Sequence, residues 1–399
     1  MVGAGAAGLL AAIVAASRGR STVLLEKNQR PGLKIRISGG GRCNVTTTKS
    51  GDDLEAQYGV RRGRFLRHAL RAFPPTALVA LLTEWGVPLQ EEDLDKLFPV
   101  SQQAQDVVDA LVARARAVGV RLVVQAPAVA VAREGGDFLV HTPRGVVRAT
   151  SVVLATGGLS YPKTGATGDG YGFCRAFGHT ITATFPALAP LVVEAPWVKA
   201  LQGIVVSGVA LSSLDPEGKV VCTRTRPILF THQGLSGPAP MDLAGDIEEA
   251  QGRGGVRFDW FPDLNEGELD AAWHLAPLTH GTRRVDALFP PALPERLRIA
   301  LCERSGGNPT LANWSRAQRR ALLTTAKALV VPVAKSRGYD HAEVTRGGVT
   351  LNEVDPRTMQ SRCCPGLFVC GELLDVDGPI GGFNFQAAFA TGRLAGQHA

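Results

Sequence analysis

Hydrophobic and polar positions change rhythm several times along this chain, and each rhythm predicts a kind of element. Ala- and Leu-rich residues run from Ala6 to about Ser17 at helical spacing. Thr22-Val23-Leu24-Leu25 is an unbroken apolar run, which predicts a strand buried on both faces of a parallel sheet. Residues 62–118 read as helical: Phe65, Leu66, Ala69 and Leu70 share one face, as do Leu78, Leu81 and Leu82, and Val107, Val108 and Leu111. Pro74-Pro75 and Phe98-Pro99 separate these helices. Residues 120–148 turn to short strands, with turns at Glu134-Gly135-Gly136 and Pro143-Arg144-Gly145. Val152-Val153-Leu154 is a further buried strand.

The texture then shifts. Residues 189–260 are Val-rich with Gly and Pro breaks, which predicts a compact β region. Residues 263–330 return to helical periodicity, and strand-and-Gly texture resumes near residue 340. A chain of 399 residues is long enough for two or three domains. With 45% hydrophobic and 20% charged residues it is an ordinary globular composition. No run of eighteen apolar residues suggests a membrane span. No charged leader with a cleavage site opens the sequence, and the seven Cys show no paired zinc or thioredoxin spacing. A cytoplasmic protein without a metal site is expected. The formal net charge of +7 is spread out, so nucleic acid is not an expected partner.

Gly3-Ala4-Gly5-Ala6-Ala7-Gly8 is a G-x-G-x-x-G motif that opens the first helix. Gly3 suits a tight turn, Gly5 a close approach to pyrophosphate, and Gly8 close helix–sheet packing. The helix N-terminus offers free N–H groups to the phosphates. Glu26, at the end of the second strand, is placed to accept hydrogen bonds from ribose hydroxyls. Only Met1 and Val2 precede Gly3, so the first strand is expected to be nearly absent. The corresponding expectation is a working start about five to ten residues upstream.

Three more segments narrow the dinucleotide. The loop Pro31–Asn44 is Gly-rich, carries Lys34, Arg36 and Arg42, and lacks the Gly-Lys-Ser/Thr of a Walker A loop. Ala155-Thr156-Gly157-Gly158 ends a strand in small residues. Gly366–Glu372 reads as a strand leading to an acid that can bond a ribityl hydroxyl. Gly381-Gly382-Phe383-Asn384 then opens a last helix, whose N-terminus can face the N1/O2 edge of a flavin.

These stretches resemble the BaiN/RdsA-type NAD(P)/FAD-dependent oxidoreductases, the group that includes aminoacetone oxidase and bile-acid dehydro-reductases. The matching segments are GAGAAG, ISGGGRCNVT, LFPVSQQAQDVVDAL, VVLATGGLSYPKTGATGDGYGF, LFTHQGLSGPAP and VTRGGVTLNEVDPRTM through GELLDVDGPIGGFNFQAAFATGRLAG. The resemblance implies an α/β protein with a Rossmann-type, glutathione-reductase-like FAD-binding domain. It also implies an inserted β-barrel-like domain, a small helical domain and tightly bound FAD. The expected limits are 1–188 with 337–399, 189–262 with 325–336, and 263–324. Motif and resemblance together give a candidate cofactor-binding set: Gly3, Gly5, Ala6, Ala7, Gly8, Glu26, Lys27, Lys34, Ser38, Gly39, Gly40, Arg42, Cys43, Asn44, Val129, Thr156, Gly157, Gly158, Gly371, Glu372, Asp377, Gly381, Gly382, Phe383 and Asn384.

Tyr161, Lys163 and His232 are the candidates for a proton-transferring group, being of suitable type beside segments expected near the substrate. Cys43 and the Cys363-Cys364 pair read as inert thiols, and Ser236 as a turn residue. Glu91-Glu92-Asp93 and Arg319-Arg320 read as solvated faces. The expected function is an FAD-dependent oxidoreductase, with FAD held non-covalently, acting on an unidentified small molecule. It would be either a reductase fed transiently by NADH or NADPH or an oxidase that uses oxygen. An FAD-dependent RNA-modifying protein and a flavin redox sensor are the alternatives. Nothing in the sequence sets the oligomeric state.

Overall fold

The computed structural model describes the backbone of residues 1–399 and every side chain except that of Thr279. The chain divides into two compact units, Met1–Phe185 with Ala342–Ala399, and Pro186–His341.

The larger unit is organised around a parallel sheet. Val23–Leu25 pairs with Arg121–Val123 on one side, and Val152–Leu154 pairs with Leu367–Val369 on the other. Val2 joins the two halves as a single parallel bridge to both Leu25 and Leu154. Its N–H donates to Val153 O at 2.9 Å, its carbonyl accepts from Ala155 N at 2.9 Å, and Gly3 N donates to Leu25 O at 2.8 Å. The strands are short, and apart from exposed Arg121 on the outer strand they are apolar; the central ones are covered on both faces, and Leu24, Val153, Leu154, Leu367 and Val369 have no exposed surface.

One covering layer is made by two helices from opposite ends of the sequence, Ala6–Ser17 and Phe383–His398. They approach backbone to backbone. A Cβ at Gly392 would stand 2.3 Å from Ala7 O, and one at Gly396 would stand 2.3 Å from Ala11 O. The Ala-rich composition of the first helix follows from this crossing, since no larger side chain fits between the two axes.

The stretch from residue 62 to 118 is not helical throughout. Helices Gly59–Ala72, Pro75–Glu84 and Ala104–Ala117 flank a hairpin, Leu89–Glu92 paired with Lys96–Pro99. Leu94 and Asp95 have positive φ there, which turns the chain, and Thr46–Thr47 adds a third strand. Ala130–Glu134, Asp137–Thr142 and Gly145–Ala149 form an antiparallel meander with turns at the anticipated glycines.

The second unit holds two antiparallel sheets. One orders Val205–Val206, Ile228–Thr231, Gly234–Ser236, Leu191–Val192 and Lys335–Ser336. The other orders Val220–Arg224, Ala210–Leu214, Gly255–Asp259 and Leu329–Pro332. Phe258 and Trp260 stack at 4.8 Å in its core. Helices Glu266–His280, Glu295–Arg304 and Arg316–Ala328 belong to the same unit. Two of them start in capping boxes, Asn265 with Glu268 and Ser315 with Gln318, which satisfy N–H groups that a helix start leaves unpaired. Among the described residues no helix is long and apolar enough to cross a membrane.

Candidate functional site

The turn Gly3–Gly8 is packed tightly on one side and open on the other. A Cβ at Gly8 would stand 1.8 Å from Gly3 O, and one at Gly3, where φ is +98°, would stand 2.5 Å from Ala155 O. At Gly5 the same test meets nothing within 4 Å. Ala6 and Ala7, which follow it, are buried. The first N–H groups of a helix have no intrahelical acceptor, and no side chain caps this one. A positive helix end facing open space beside a Cβ-free residue fits the pyrophosphate of a dinucleotide.

Glu26 is buried beside that turn. Oε2 accepts from Ala4 N at 3.0 Å, and Oε1 accepts from Asn28 N and Nδ2, both at 2.8 Å. Oε2 thus keeps a lone pair for one more donor. Lys27 is engaged elsewhere, with its ammonium 2.6 Å from Asp169 and 2.5 Å from Thr167.

The Gly-rich segment contains a short helix, Leu33–Ile37, where sequence suggested only loop. It is tied to the phosphate turn by Gly32 N donating to Ala4 O at 2.9 Å. Gly39, Gly40, Gly41 and Cys43 then all take positive φ, which turns the chain back on itself. Ser38 Oγ donates to Ile35 O at 2.7 Å. Cys43 is fully buried, and burial pushes its thiol up to about 12, as an inert packing residue requires. Of the three basic residues here, Lys34 is bound by Ser160 and Glu372. Arg42 is bound by Glu92 at 2.9 Å and Gln102 at 2.9 Å, and lies 4.3 Å over the Phe98 ring. The Asn44 amide, in the orientation that satisfies both ends, donates to Thr46 O at 3.0 Å and accepts from Gly382 N at 2.9 Å.

Glu372 is the hub of the C-terminal segment. One oxygen accepts from Lys34, and the other from Ser160 Oγ and from Thr345 N at 2.9 Å. Thr345 Oγ1 in turn accepts from Leu159 N at 2.8 Å, and it packs where a Cβ at Gly158 would stand. Thr156 and Gly157 lead into this contact, with Gly157 at φ +75°. Gly371 N donates to Thr391 Oγ1 at 3.0 Å. Asp377 is buried between Arg62 at 3.1 Å and Arg346 at 3.2 Å, and buried Asp375 pairs with Arg61 and Arg62. Gly381 and Gly382 precede the last helix, and a Cβ at Gly382 would stand 2.3 Å from Thr46 O. Phe383 is buried, with its ring edge-on to Tyr58. The Asn384 side chain is occupied by Gly378, accepting from its N–H and donating to its carbonyl at 2.9 Å each. It therefore shapes the loop before the helix.

The remaining candidates scatter. Val129 is 62% exposed, with its N–H donated to His141 O at 2.8 Å. Tyr161 is half-buried with φ +50°; burial and then the charge of Glu343 push its hydroxyl pKa up. Lys163 is exposed on the turn Pro162–Thr164. His232 belongs to the second unit, where it lines a cleft of about 270 Å³ with Phe230, Gln202, Gln233 and Arg337. Sequence reasoning missed Ser160, Thr345, Asp375 and Arg62. The first three stand inside the motif segments quoted for the resemblance, but only the fold shows that they converge on Glu372 and on the loop before the last helix.

A family model described as the HI0933-like protein Rossmann domain matches residues 1–398. The ribosomal RNA dihydrouridine synthase of Escherichia coli strain K12 is 32% identical over 402 residues, covering 100% of this chain and 96% of that protein. The 3-dehydro-bile acid delta(4,6)-reductase of Clostridium scindens is 31% identical over 409 residues, 100% of this chain and 98% of that one. Among solved structures, the 3-ketosteroid delta1-dehydrogenase of Sterolibacterium denitrificans superposes with a TM-score of 0.54 at 14% identity, covering 100% of this chain and 98% of that chain. That likeness concerns the fold. With a Rossmann turn, an acid after its second strand and a whole-length family match, the chain belongs to the HI0933-like family and is an FAD-dependent oxidoreductase.

Proposed function

We propose that this protein is a reductase, fed by NADH or NADPH, that adds two hydrogens across a carbon–carbon double bond conjugated to a carbonyl in a small molecule. One observation carries the reading. The two whole-length relatives differ in substrate, yet dihydrouridine synthesis and delta(4,6) reduction of a 3-dehydro bile acid both saturate a ring double bond that a carbonyl polarises. Bound FAD supplies the hydride chemistry that no side chain can. The protein has to hold it and to deliver a proton.

For holding, the reading uses the open helix end at Gly5, the spare lone pair of Glu26 and the positive-φ run Gly39–Gly41. Lys34 and Glu372 act as a pair in it: the ammonium is fixed by the carboxylate, so neither moves freely. For the proton, Tyr161 is the first choice. A phenol is protonated at neutral pH without any shift, and the left-handed backbone of Tyr161 fixes where its ring leaves the chain. Lys163 and His232 are the other donors to test. Residues 189–262 with 325–336 and residues 263–324 are proposed as separate β-rich and helical domains.

A second reading places the reduced ring in RNA. It is supported by the two relatives named as ribosomal RNA dihydrouridine synthases. One experiment separates these possibilities. The purified flavoprotein is reduced anaerobically with NADH or NADPH, then offered either a cyclic enone or a uridine-containing RNA. Flavin reoxidation with a product two hydrogens heavier supports the reductase and shows which substrate it takes. Reoxidation by oxygen alone, with neither substrate changed, overturns it in favour of an oxidase.

A further inference from the structure

Away from the flavin segments, three stretches of the larger unit bring metal-ligating atoms together. His179 follows the helix Asp169–Ala176, Glu353 ends the turn Leu351–Glu353, and Cys363 precedes the strand Leu367–Val369. His179 Nδ1 lies 3.2 Å from Glu353 Oε2 and 3.9 Å from Cys363 Sγ. All three donor atoms lie within 4.8 Å of one another. The imidazole is buried, the carboxylate half-buried and the thiol exposed. The other ring nitrogen, Nε2, is 2.7 Å from Ser361 Oγ. Ser361 is itself fixed, because its Oγ accepts from Cys363 N at 3.0 Å and Cys364 N at 2.9 Å.

We propose that His179, Glu353 and Cys363 form a site for a single Zn²⁺-type ion, with a fourth position open to solvent. Nitrogen, carboxylate oxygen and thiolate sulfur are the donors that zinc takes, at about 2.0–2.1, 2.0–2.2 and 2.3 Å. With tetrahedral angles those lengths put nitrogen about 3.4 Å from oxygen and about 3.6 Å from sulfur. The separations found are 3.2 and 3.9 Å, and the remaining oxygen–sulfur pair lies within 4.8 Å where about 3.6 Å is needed, so closing the site takes movements of up to about an ångström, largest for the exposed thiol. Ser361, whose oxygen already accepts two backbone N–H groups, donates its own proton to Nε2 and so holds the ring in place. The proton count follows. Before binding, the imidazole proton sits on Nδ1 and faces Glu353; ion binding moves it through solvent to Nε2, where the Ser361 hydroxyl turns its own proton aside, and Cys363 gives up its thiol proton to the solvent. One proton leaves for each ion bound. The sequence carries no sign of this, because the ligands stand 174 and 10 positions apart in chain order.

Without an ion the same groups form an ordinary hydrogen-bonded tie, and the test must separate the two. The FAD-loaded protein is freed of metals with a chelator and titrated with Co²⁺. One equivalent should produce the d–d bands of a tetrahedral thiolate site, at wavelengths beyond oxidised flavin, and Zn²⁺ should abolish them. Zn²⁺ should also shield Cys363 from a thiol reagent. Cys363→Ser, a change at an exposed position, should retain FAD and lose the bands. Ser361→Ala should weaken the ion's affinity about 10–100-fold. Absence of the bands in the wild type, or bands that persist in Cys363→Ser, overturns the proposal.

Discussion

The backbone N–H of Ala4 donates to Glu26 Oε2 at 3.0 Å, so the acid that ends the second strand also fastens the turn that opens the first helix. Removing the carboxylate should therefore do two things. Glu26→Ala should lower FAD affinity about tenfold or more, equivalent to about 1.4 kcal/mol. It should also lower stability by about 1–3 kcal/mol, because a buried N–H loses its acceptor. Glu26→Gln retains an oxygen and should recover much of the stability. Cofactor titration by flavin fluorescence and urea denaturation measure the two effects; unchanged affinity in Glu26→Ala would place the ribose elsewhere.

Lys34 and Glu372 test the other end of the site. Lys34→Met leaves Glu372 with Ser160 and Thr345 as its donors. A charge-assisted bond is worth about 1.5–3 kcal/mol, and partial exposure of both groups puts the expected loss near the lower figure. The FAD absorption spectrum should shift as well, because a positive charge leaves the segment proposed to face the flavin. An unaltered spectrum and unaltered stability would make the pair dispensable.

Cys43 predicts a pH dependence. Its thiol is raised from an ordinary value near 9 to about 12 in the folded protein. Between those values the unfolded chain has released this proton and the folded chain has not. The unfolded state then binds fewer protons, so stability falls as pH rises. The slope attributable to this thiol is about 1.4 kcal/mol per pH unit. Stability measured at pH 8, 9 and 10 should fall less steeply in Cys43→Ala, and parallel curves would refute the assignment. At pH 8 the native protein should also shield Cys43 from thiol reagents until it is unfolded.

The helix crossing gives a steric prediction. A side chain at Gly392 has to displace the backbone at Ala7. Gly392→Val should cost at least about 1–3 kcal/mol and weaken FAD retention together with stability, since Ala7 lies within the phosphate turn. If FAD content and melting temperature both stayed at wild-type values, the two helices would not be so closely packed in solution.

Much of the nucleotide half of the site was legible because it works through backbone. Gly3, Gly5 and Gly8 have roles fixed by spacing, and an apolar run followed by Glu26 fits a single strand end. Side-chain partnerships were not legible. Lys34, Arg42 and Lys27 look alike as free cations in sequence, yet each is matched to an acid far along the chain: Glu372, Glu92 and Asp169. Asn384 is a further case: its place at a helix start gives no sign that Gly378 occupies both ends of its side-chain amide. The hairpin at Leu89–Pro99 was missed because its turn uses Leu94 and Asp95 in place of glycine.

The closely packed pair of helices has a consequence for biosynthesis. Ala7 and Gly392 stand 385 residues apart in the chain, so they leave a ribosome far apart in time. At about 5–20 residues per second the first helix waits tens of seconds for the partner that covers it. Throughout that interval its Ala- and Leu-rich flank has no native cover, and the cofactor turn lacks one wall. Flavin capture is therefore a late event, completed after the last helix leaves the exit tunnel.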